Sequence, residues 1–283
     1  MSQNSNPLIT IIIAVFNGNE TLQQSIKSIT EQTYPNIQLI IIDGGSTDGT
    51  VELLQANDKS ISYWISEPDQ GIYNAWNKGL AQANGEWICF IGADDYFWNA
   101  NVLEKMISLL KNLPSDIKVA YAQIMLLSKN GHELYSTGEA WSNVKQRFKQ
   151  LMTIPHPGTM HRRSLFEQHG YFDESFRIAG DYELLLRELK TADAAYIPDI
   201  ISVGMMQGGI SSNPQNTLSQ LYEVRRAQQK HGLKLPNFYW LMAVFRVYIR
   251  LLLWCLVGEK ATRRALDMGR RMMGLPPHWT RTK

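Results

Sequence analysis

Cysteine is scarce in this sequence: Cys89 and Cys255 are the only two in 283 residues, and each lies in an apolar run. Two such residues cannot supply the disulfide framework of a small secreted domain, so we expect buried thiols in a reducing cytosol. The six histidines and two cysteines also lack the spacing of a zinc site. A hydrophobic core must therefore stabilise the fold, and a chain that is 44% hydrophobic can form one.

Internal repeats and low-complexity tracts are absent as well. The first apolar stretch, residues 8–13, has no basic segment ahead of it, so we expect no signal peptide. We expect no nucleic-acid partner. The length suits one large α/β domain with a helical appendage.

Short apolar runs and helical patterns alternate over the first 114 residues. Strands are predicted at 8–17, 37–43, 61–66 and 86–92, and helices at 20–32, 46–56, 72–83 and 101–113. Ser46 or Thr47 is the predicted N-cap of the second helix. Continuously apolar strands that alternate with helices indicate a parallel sheet covered on both faces, and such sheets bind ligands beyond the carboxyl ends of their strands.

Polar side chains follow three of these strands. Asn17 follows the first, Asp43 the second, and the adjacent Asp94 and Asp95 the fourth. Desolvating two neighbouring carboxylates costs several kcal/mol each unless something compensates. The pair is therefore either a solvated turn or the place of a cation.

The pattern changes after Pro114. Two strands around Asn130-Gly131 are expected to form a hairpin. A short helix is predicted after Arg163, a clear one at 179–192 and another at 214–232.

Five stretches together resemble the bacterial family-2 glycosyltransferases that build O-antigen, capsule or exopolysaccharide. They are, in order, ITIIIAVFN, IIDGGSTDGT, SEPDQGIYNAWNKG, CFIGADD and AGDYELLLR. The resemblance covers residues 8–212 and implies the GT-A fold, a Rossmann-like, mostly parallel sheet flanked by helices. It implies a catalytic domain over 1–212, with a nucleotide-sugar half (1–114) and an acceptor half (115–212). A helical, basic C-terminal appendage over 213–283 follows.

The same resemblance implies an inverting transfer from a nucleotide diphosphate sugar, usually with Mn²⁺ or Mg²⁺. It makes Asp95 the metal ligand and places Asp94 near the ribose or donor sugar. Asp181 would be the base that deprotonates the acceptor hydroxyl, although a helix-start Asp can also serve only the helix dipole. The residues implied around the nucleotide are Ala14, Val15, Phe16, Asp43, Asp69 and Asn77.

Several of these residues keep a second interpretation. Asp43 either reads the nucleobase, which its pattern favours, or caps the Gly-Gly turn, and both roles can hold together, whereas Asp48 has the pattern of a cap. His156 is near the acceptor or diphosphate, or it is structural. Arg187 pairs with a phosphate or with a core acid. Lys78 helps to hold a phosphate or, the favoured interpretation, is a solvated helical lysine. The segment 208–212 is either a cover for the pyrophosphate or a plain turn.

The C-terminal part is basic. From Arg246 onward the chain has nine Lys/Arg and two acids, a net +7, which leaves −5 for the rest. The apolar run 238–258 is long enough to span a membrane, but Arg246 and Arg250 lie near its middle and disfavour spanning. We expect an interfacial helix on the membrane; packing on the catalytic domain or in a homodimer is the alternative.

The resulting hypothesis is a cytoplasmic, membrane-peripheral enzyme at the inner face of the cell membrane. It transfers a hexose or N-acetylhexosamine from a UDP-sugar to a lipid-diphosphate-linked or growing surface glycan. One alternative is a non-catalytic nucleotide-sugar or polysaccharide-binding module. It would need neither Asp95 nor Asp181, and the presence of both argues against it. A nucleotidyltransferase would carry a basic, glycine-rich loop after its first strand, where AVFNGNETL has no basic residue.

Overall fold

The computed structural model of the protein describes residues 6–128, 130–207, 216–233, 236, 238–272, 274, 277 and 279–280. Its strands are β1 Ile9–Val15, β2 Ile37–Asp43, β3 Tyr63–Ser66, β4 Trp87–Gly92, β5 Tyr96–Phe97, β6 Val119–Leu127, β7 Glu133–Thr137, β8 Met160–Arg162 and β9 Ala195–Met206. Its α-helices are α1 Leu22–Thr30, α2 Thr50–Ala56, α3 Ile72–Gln82, α4 Val102–Leu110, α5 Trp141–Phe148, α6 Arg163–His169, α7 Gly180–Leu189, α8 Thr217–Lys230, α9 Phe238–Val257 and α10 Glu259–Met272.

All nine strands form one sheet in the order β3-β2-β1-β4-β8-β6-β9-β5, with β7 paired to β6. The pairs among β1 to β4 are parallel, as expected for the nucleotide-sugar half. Beyond β4 the sheet is mixed, because β8 runs antiparallel to both β4 and β6. The predicted α/β fold with flanking and C-terminal helices is confirmed, and so is the hairpin of β6 and β7.

The sheet register brings the strand ends together. Ala14 of β1 lies opposite Ile42 of β2 and Gly92 of β4. Val15 lies opposite Asp43, the last residue of β2. The polar residues that follow these strands therefore share one edge of the sheet, as the sequence predicts.

Alternating side chains of β1 and β2 feed two core clusters, one on each face of the sheet. Ile11 and Ile13 pack with residues of α1 and α4 on one face. Ile12 and Ile42 pack with residues of α3 and α7 on the other. Burial on both faces explains why these strands read as continuous apolar runs.

Two predicted features differ in the structure. Helix α2 begins at Thr50, and its N-cap is Gly49 with φ +99° rather than Ser46 or Thr47. Strand β9 has no counterpart in the prediction, because Pro198 and Asp199, with φ +60° at Asp199, look like a turn. The pairing with β6 absorbs them as an irregularity, and the strand continues beyond it.

The C-terminal helices follow the sheet domain. Helix α8 contributes Val224 and Ala227 to the second core cluster. In α9 Arg246 is exposed, but Arg250 is buried, stacks 5.0 Å over the ring of Trp279 and donates to Thr217 Oγ1 at 3.2 Å. Of the two arginines near the middle of α9, Arg246 is therefore exposed to solvent, whereas Arg250 packs inside the protein.

Cys89 is buried as expected, whereas Cys255 of α9 is exposed. The error has a simple cause: α9 is apolar all round, so apolar neighbours do not indicate an inward position. By length and composition alone, the described stretch Trp240–Val257 would suffice to cross a membrane, and 11% of it is buried.

Candidate active site

A cavity of about 370 Å³ opens beyond the end of β4. Its walls come from the end of β4, the loop at 152–157, the segment 177–182, the end of β9 and one side of α8. The predicted residues Asp94, Asp95, His156 and Asp181 all line it. These residues are far apart in sequence, so the fold alone assembles the site.

Asp94 and Asp95 turn back against the end of β4. A Cβ on Gly92 would lie 2.8 Å from Asp95 Oδ2 and 2.9 Å from Asp94 Oδ1, so glycine is needed for both carboxylates to approach this point. Asp95 is 5% exposed and accepts hydrogen bonds from the amides of Gly92 (3.1 Å) and Met206 (3.2 Å). Burial and the charge of Asp94 raise the pKa of Asp95 to about 7, and burial also raises the pKa of Asp94.

This pair fits a divalent cation. Two neighbouring, poorly solvated carboxylates repel each other, and a cation would relieve both the repulsion and the desolvation. The described residues contain no cluster of three or more His, Cys, Asp or Glu around a possible metal position. A site with only two carboxylates suits Mg²⁺ or Mn²⁺, which take oxygen ligands and complete their shell with water and substrate phosphates.

Asp181 lies in the first turn of α7 and lines the cavity on a different wall from the end of β4. A Cβ on the preceding Gly180 would meet the ring of Tyr73 at 2.8 Å, so the glycine allows the helix start to approach α3. Asp181 Oδ1 lies 3.5 Å from the Tyr73 hydroxyl and accepts the Tyr182 amide at 2.7 Å. Burial raises the pKa of Asp181 to about 6 against the opposing effect of these hydrogen bonds, a value suited to a general base near neutral pH.

His156 lines the cavity with a buried imidazole. Its ring stacks against Phe90 at 5.7 Å and lies 5.1 Å from Trp76 and 5.2 Å from His161, measured between ring centroids. Burial, with the nearby His161, holds the pKa of His156 well below its ordinary value, so the ring is neutral. Its Nε2 has no hydrogen-bond partner among the described residues.

Arg177 is a cavity residue that the sequence reasoning missed. Among the described residues that line the cavity it is the one lysine or arginine. Its Nη1 donates to the carbonyl of Gln70 and lies 3.0 Å from where a Cβ of Gly71 would be. Its position in the FDESFRIAGD segment offers no local signal, because only the fold turns this loop toward the cavity.

Asp43, the last residue of β2, is a buried carboxylate. It is 0% exposed, and its Oδ2 accepts from the amides of Gly45 (3.1 Å) and Ser46 (2.9 Å) and from Ser66 Oγ (2.6 Å). Its Oδ1 accepts from Ser46 Oγ. The carboxylate therefore holds the Gly-Gly turn, which is the alternative that the sequence left open. The expected capping by Asp48 is confirmed by its bonds from the amides of Thr50 and Asn19.

A different carboxylate lies at this edge. A Cβ on Gly44 would be 2.5 Å from Asp69 Oδ2 and 3.4 Å from the ring of Phe16. Phe16 is 66% exposed although it directly follows β1, and Asp69 Oδ1 accepts the Gly71 amide at 2.7 Å. An exposed aromatic ring and a carboxylate thus flank the glycine beside Asp43, next to the backbone of Ala14 and Val15.

Two further predicted residues lie outside the cavity lining. The side chain of Asn77 donates to the Phe172 carbonyl (2.9 Å) and to Glu174 Oε1 (2.7 Å). Arg187 pairs with the buried Glu183 and donates to two backbone carbonyls, so the structure gives it the core acid rather than a phosphate. Lys78 pairs with Glu67 at 2.7 Å. The segment 208–212 lies outside the described residues.

Comparison with known proteins gives the family. The model described as "Glycosyl transferase family 2" matches residues 10–170, more than half of the chain. An uncharacterized glycosyltransferase of Rickettsia typhi is 29% identical over 230 residues, 79% of this chain and 71% of the relative. A PGL/p-HBAD biosynthesis glycosyltransferase of Mycobacterium bovis is 30% identical over 185 residues, 64% of this chain and 69% of the relative.

Solved structures share the fold. The S. aureus TarS 1-349 structure in complex with UDP-GlcNAc has a TM-score of 0.62 at 17% identity, over 78% of this chain and 66% of that one. Against a longer TarS structure this chain spans 40% of the length. The mannosyltransferase PcManGT of Pyrobaculum calidifontis, in complex with GDP-Man and Mn²⁺, has a TM-score of 0.60 at 17% identity, over 93% and 75%.

The match ends before α7, so Asp181, Arg177 and α8 lie beyond it, whereas the strand-end edge and the Asp94-Asp95 pair lie inside it. The order of the strands, the carboxylate pair at the end of β4 and the match over 10–170 agree with one another. The chain belongs to the family-2 glycosyl transferases.

Proposed function

We propose that the protein is an inverting, metal-dependent glycosyltransferase that uses a UDP-sugar and acts on a lipid-linked or growing surface glycan. The observation that carries this proposal is the cavity into which Asp94 and Asp95 face from β4 and Asp181 from α7. A carboxylate pair on one wall suits the diphosphate side of a donor, and a base on another wall suits the acceptor.

The residues divide the work as follows. Asp181 accepts the proton of the acceptor hydroxyl while that oxygen bonds to the anomeric carbon from the face opposite the leaving group. The glycosidic bond to the diphosphate breaks, and its electron pair leaves with the nucleotide. Asp95 would hold a divalent cation, which would neutralise the charge of the diphosphate. Asp94 holds the ribose or donor sugar.

Arg177 and His156 complete the cavity. The Arg177 guanidinium offers positive charge for a phosphate oxygen. The neutral His156 imidazole offers one hydrogen bond to the acceptor or diphosphate without adding charge. The apolar wall of Met152, Ile154, Ile178, Met205 and Met206 suits the C–H faces of a hexose or N-acetylhexosamine.

The direct test is UDP release from a panel of UDP-sugars with Mn²⁺ and a synthetic lipid-diphosphate GlcNAc acceptor. We expect one donor to turn over, with dependence on acceptor and cation and with inverted anomeric configuration in the product. Release of pyrophosphate instead of UDP, or failure of UDP to bind with Mn²⁺, would contradict the proposal.

On the nucleotide side we propose that Asp69, together with the ring of Phe16, contacts the nucleobase, and that Asp43 acts only through the turn. Asp69→Asn is expected to weaken UDP binding about tenfold or more, through loss of a charge-assisted hydrogen bond, with little change in melting temperature. Asp43→Ala is expected to lower the free energy of unfolding by about 2–4 kcal/mol, because buried donors lose their acceptor.

Thermal unfolding and UDP titration of both variants distinguish the two roles. Asp58→Asn, which changes an exposed aspartate that accepts from Trp64, serves as the control and should leave UDP binding unchanged. If Asp43→Ala folds normally but loses UDP binding while Asp69→Asn retains it, the two roles are reversed.

We also propose that α9 and α10 bind the inner surface of the cell membrane. Large apolar residues of α9 recur at helical spacing and are exposed, among them Leu241, Phe245, Tyr248, Leu252 and Leu256. In α10 Lys260, Arg264 and Arg271 lie on one side and are exposed, and they give the surface positive charge for anionic lipid.

Vesicle sedimentation tests this surface. Phe245→Glu combined with Leu252→Glu is expected to reduce binding to phosphatidylglycerol-containing vesicles roughly 10–100-fold, since both apolar side chains leave the interface. Leu109→Glu makes the same change at an exposed site of the catalytic part and should bind like the native protein. A native protein that ignores vesicles and sediments as a dimer would assign this face to a second copy.

A further inference from the structure

Helix α8 contacts the chain at the N-terminal end of α7, the helix that carries Asp181. It lies beyond the family match, and its inner face packs on α7, which begins at Gly180 and carries Asp181 one residue later. Gln220 and Val224 of α8 also line the cavity. The contacts between α8 and the segment just ahead of α7 therefore bear on where Asp181 lies.

Glu223 is the centre of these contacts. Its carboxylate accepts hydrogen bonds from three consecutive backbone amides, those of Arg177 (2.9 Å), Ile178 (2.8 Å) and Ala179 (2.8 Å). The first amides of a helix and those just before it lack partners within the helix, and a carboxylate there is favoured by the helix dipole. Ala179, the N-cap of α7, has no side chain that could cap, so Glu223 caps the helix from outside.

Further contacts join α8, and His231 directly after it, to the chain around α7. Lys230 Nζ and His231 Nε2 lie 2.9 and 2.8 Å from Oε1 of the buried Glu183, two residues after Asp181. Arg226 donates to the Ser175 carbonyl at 2.9 Å and stacks 3.8 Å over Phe176. These contacts hold the chain both before and after Asp181.

We propose that Glu223 is a positioning residue that holds the 177–179 backbone so that Asp181 and Arg177 face the cavity. This inference rests on the proposed glycosyl transfer, in which Asp181 is the base. Glu223 itself does not line the described cavity, so its action passes through the backbone rather than through contact with substrate.

The charge of Glu223 gives a readout that a merely structural role would not produce. The groups that line the cavity with Asp181 are Tyr73 from α3, Asp94 and Asp95 just after β4, and His156 and Arg177 from loops. Glu223 lies outside the cavity lining, behind the start of α7. Glu223 contributes a negative charge that opposes ionisation of Asp181. Removing it should therefore move the acid side of the pH–rate profile to lower pH.

Steady-state kinetics of the full chain with donor, acceptor and Mn²⁺ tests the proposal. Glu223→Gln keeps the shape of the side chain but loses the charge; kcat should fall about 10²-fold with little change in the KM for donor, and the acid side of the profile should move down. Glu223→Asp retains the charge but not the reach; kcat should fall while the profile keeps its position. Glu167→Gln, which removes an exposed carboxylate from α6, should match the native enzyme.

Amide hydrogen exchange gives a readout that does not depend on turnover. In the native chain the amides of 177–179 should exchange slowly, and in Glu223→Gln roughly tenfold or more faster, with the amides of β1 unchanged. If exchange at 177–179 is the same in both chains, Glu223 does not hold this segment and the proposal is overturned. If exchange changes but kcat and the pH profile do not, Glu223 is structural only and the positioning role is overturned.

Failure of the proposed function remains distinguishable from failure of this inference. If the native chain transfers no sugar from any donor but exchange at 177–179 accelerates in Glu223→Gln, the capping holds and the catalytic assignment of Asp181 is what fails. If the native chain is active and Glu223→Gln is equally active at every pH, the proposed function stands and the positioning role is withdrawn.

Discussion

Asp181→Asn is expected to lower kcat on the order of 10³–10⁴-fold while UDP binding changes less than about threefold. The amide keeps the size of the side chain and one acceptor for the Tyr182 amide, but it cannot take the proton of the acceptor hydroxyl. In the native enzyme the transfer rate should rise with pH through about 6, because burial raises the pKa of Asp181 to that value and only the ionised carboxylate accepts a proton.

Tyr73→Phe is the matched control for this prediction. It removes the hydroxyl that lies 3.5 Å from Asp181 Oδ1 but leaves the base in place. Since that hydrogen bond favours the ionised form of Asp181, its loss should move the acid side of the pH–rate profile upward, with at most about a tenfold loss of kcat. An Asp181→Asn enzyme that retains most of its kcat would show that another group is the base.

Asp95→Asn should abolish transfer, by about 10³-fold or more, and should also abolish any rise in melting temperature on addition of Mn²⁺. Without cation the variant should be more stable than the native chain, by about 1–3 kcal/mol at pH 8. Asparagine keeps an acceptor for only one of the two amides that bind Asp95, those of Gly92 and Met206, but it carries no buried charge beside Asp94, and at pH 8 the loss of that charge outweighs the lost hydrogen bond.

The direction of this effect follows from the raised pKa of Asp95. A carboxyl group whose pKa is about 7 in the fold and 3.8 in the unfolded chain contributes fully to stability below pH 3.8. That contribution is lost as the pH rises through 7, because the unfolded chain releases the proton more readily. The cation-free native protein should therefore lose stability between about pH 4 and pH 7, and Asp95→Asn should lose less.

Melting curves at pH 5 and pH 8, with and without Mn²⁺, separate the two carboxylates. Asp94→Asn should reduce transfer but retain the Mn²⁺-dependent rise in melting temperature, because it leaves the proposed ligand in place. If instead Asp94→Asn loses that rise and Asp95→Asn keeps it, the two roles are exchanged. A native chain whose melting temperature ignores Mn²⁺ and Mg²⁺ at pH 8 would contradict a cation site at this pair.

Sequence reasoning alone was sufficient for the features that local patterns encode. Strands β1, β2 and β4 can be predicted from continuous apolar runs, because both of their faces are buried. Since the carboxyl ends of parallel strands lie at one edge of a sheet, the sequence alone assigns Asp94 and Asp95 to that edge. The family resemblance rested on five motifs, three of which lie at these strand ends, and the match over 10–170 confirms the family.

Strand β9, the inward turn of Asp43, and the placement of Arg177 and Glu223 needed the tertiary structure. Each depends on partners distant in sequence. Strand β9 pairs with β6 on both sides of Pro198, Ser66 donates a hydrogen bond to the buried Asp43, and Glu223 of α8 accepts one from the amide of Ile178. The exposure of Cys255 likewise depends on which side of α9 meets the protein. Local sequence thus determined the elements and the edge where the chemistry lies. Long-range hydrogen bonds and packing decided which side chains face the cavity, because the hydrogen-bond partner of a polar group sets its orientation.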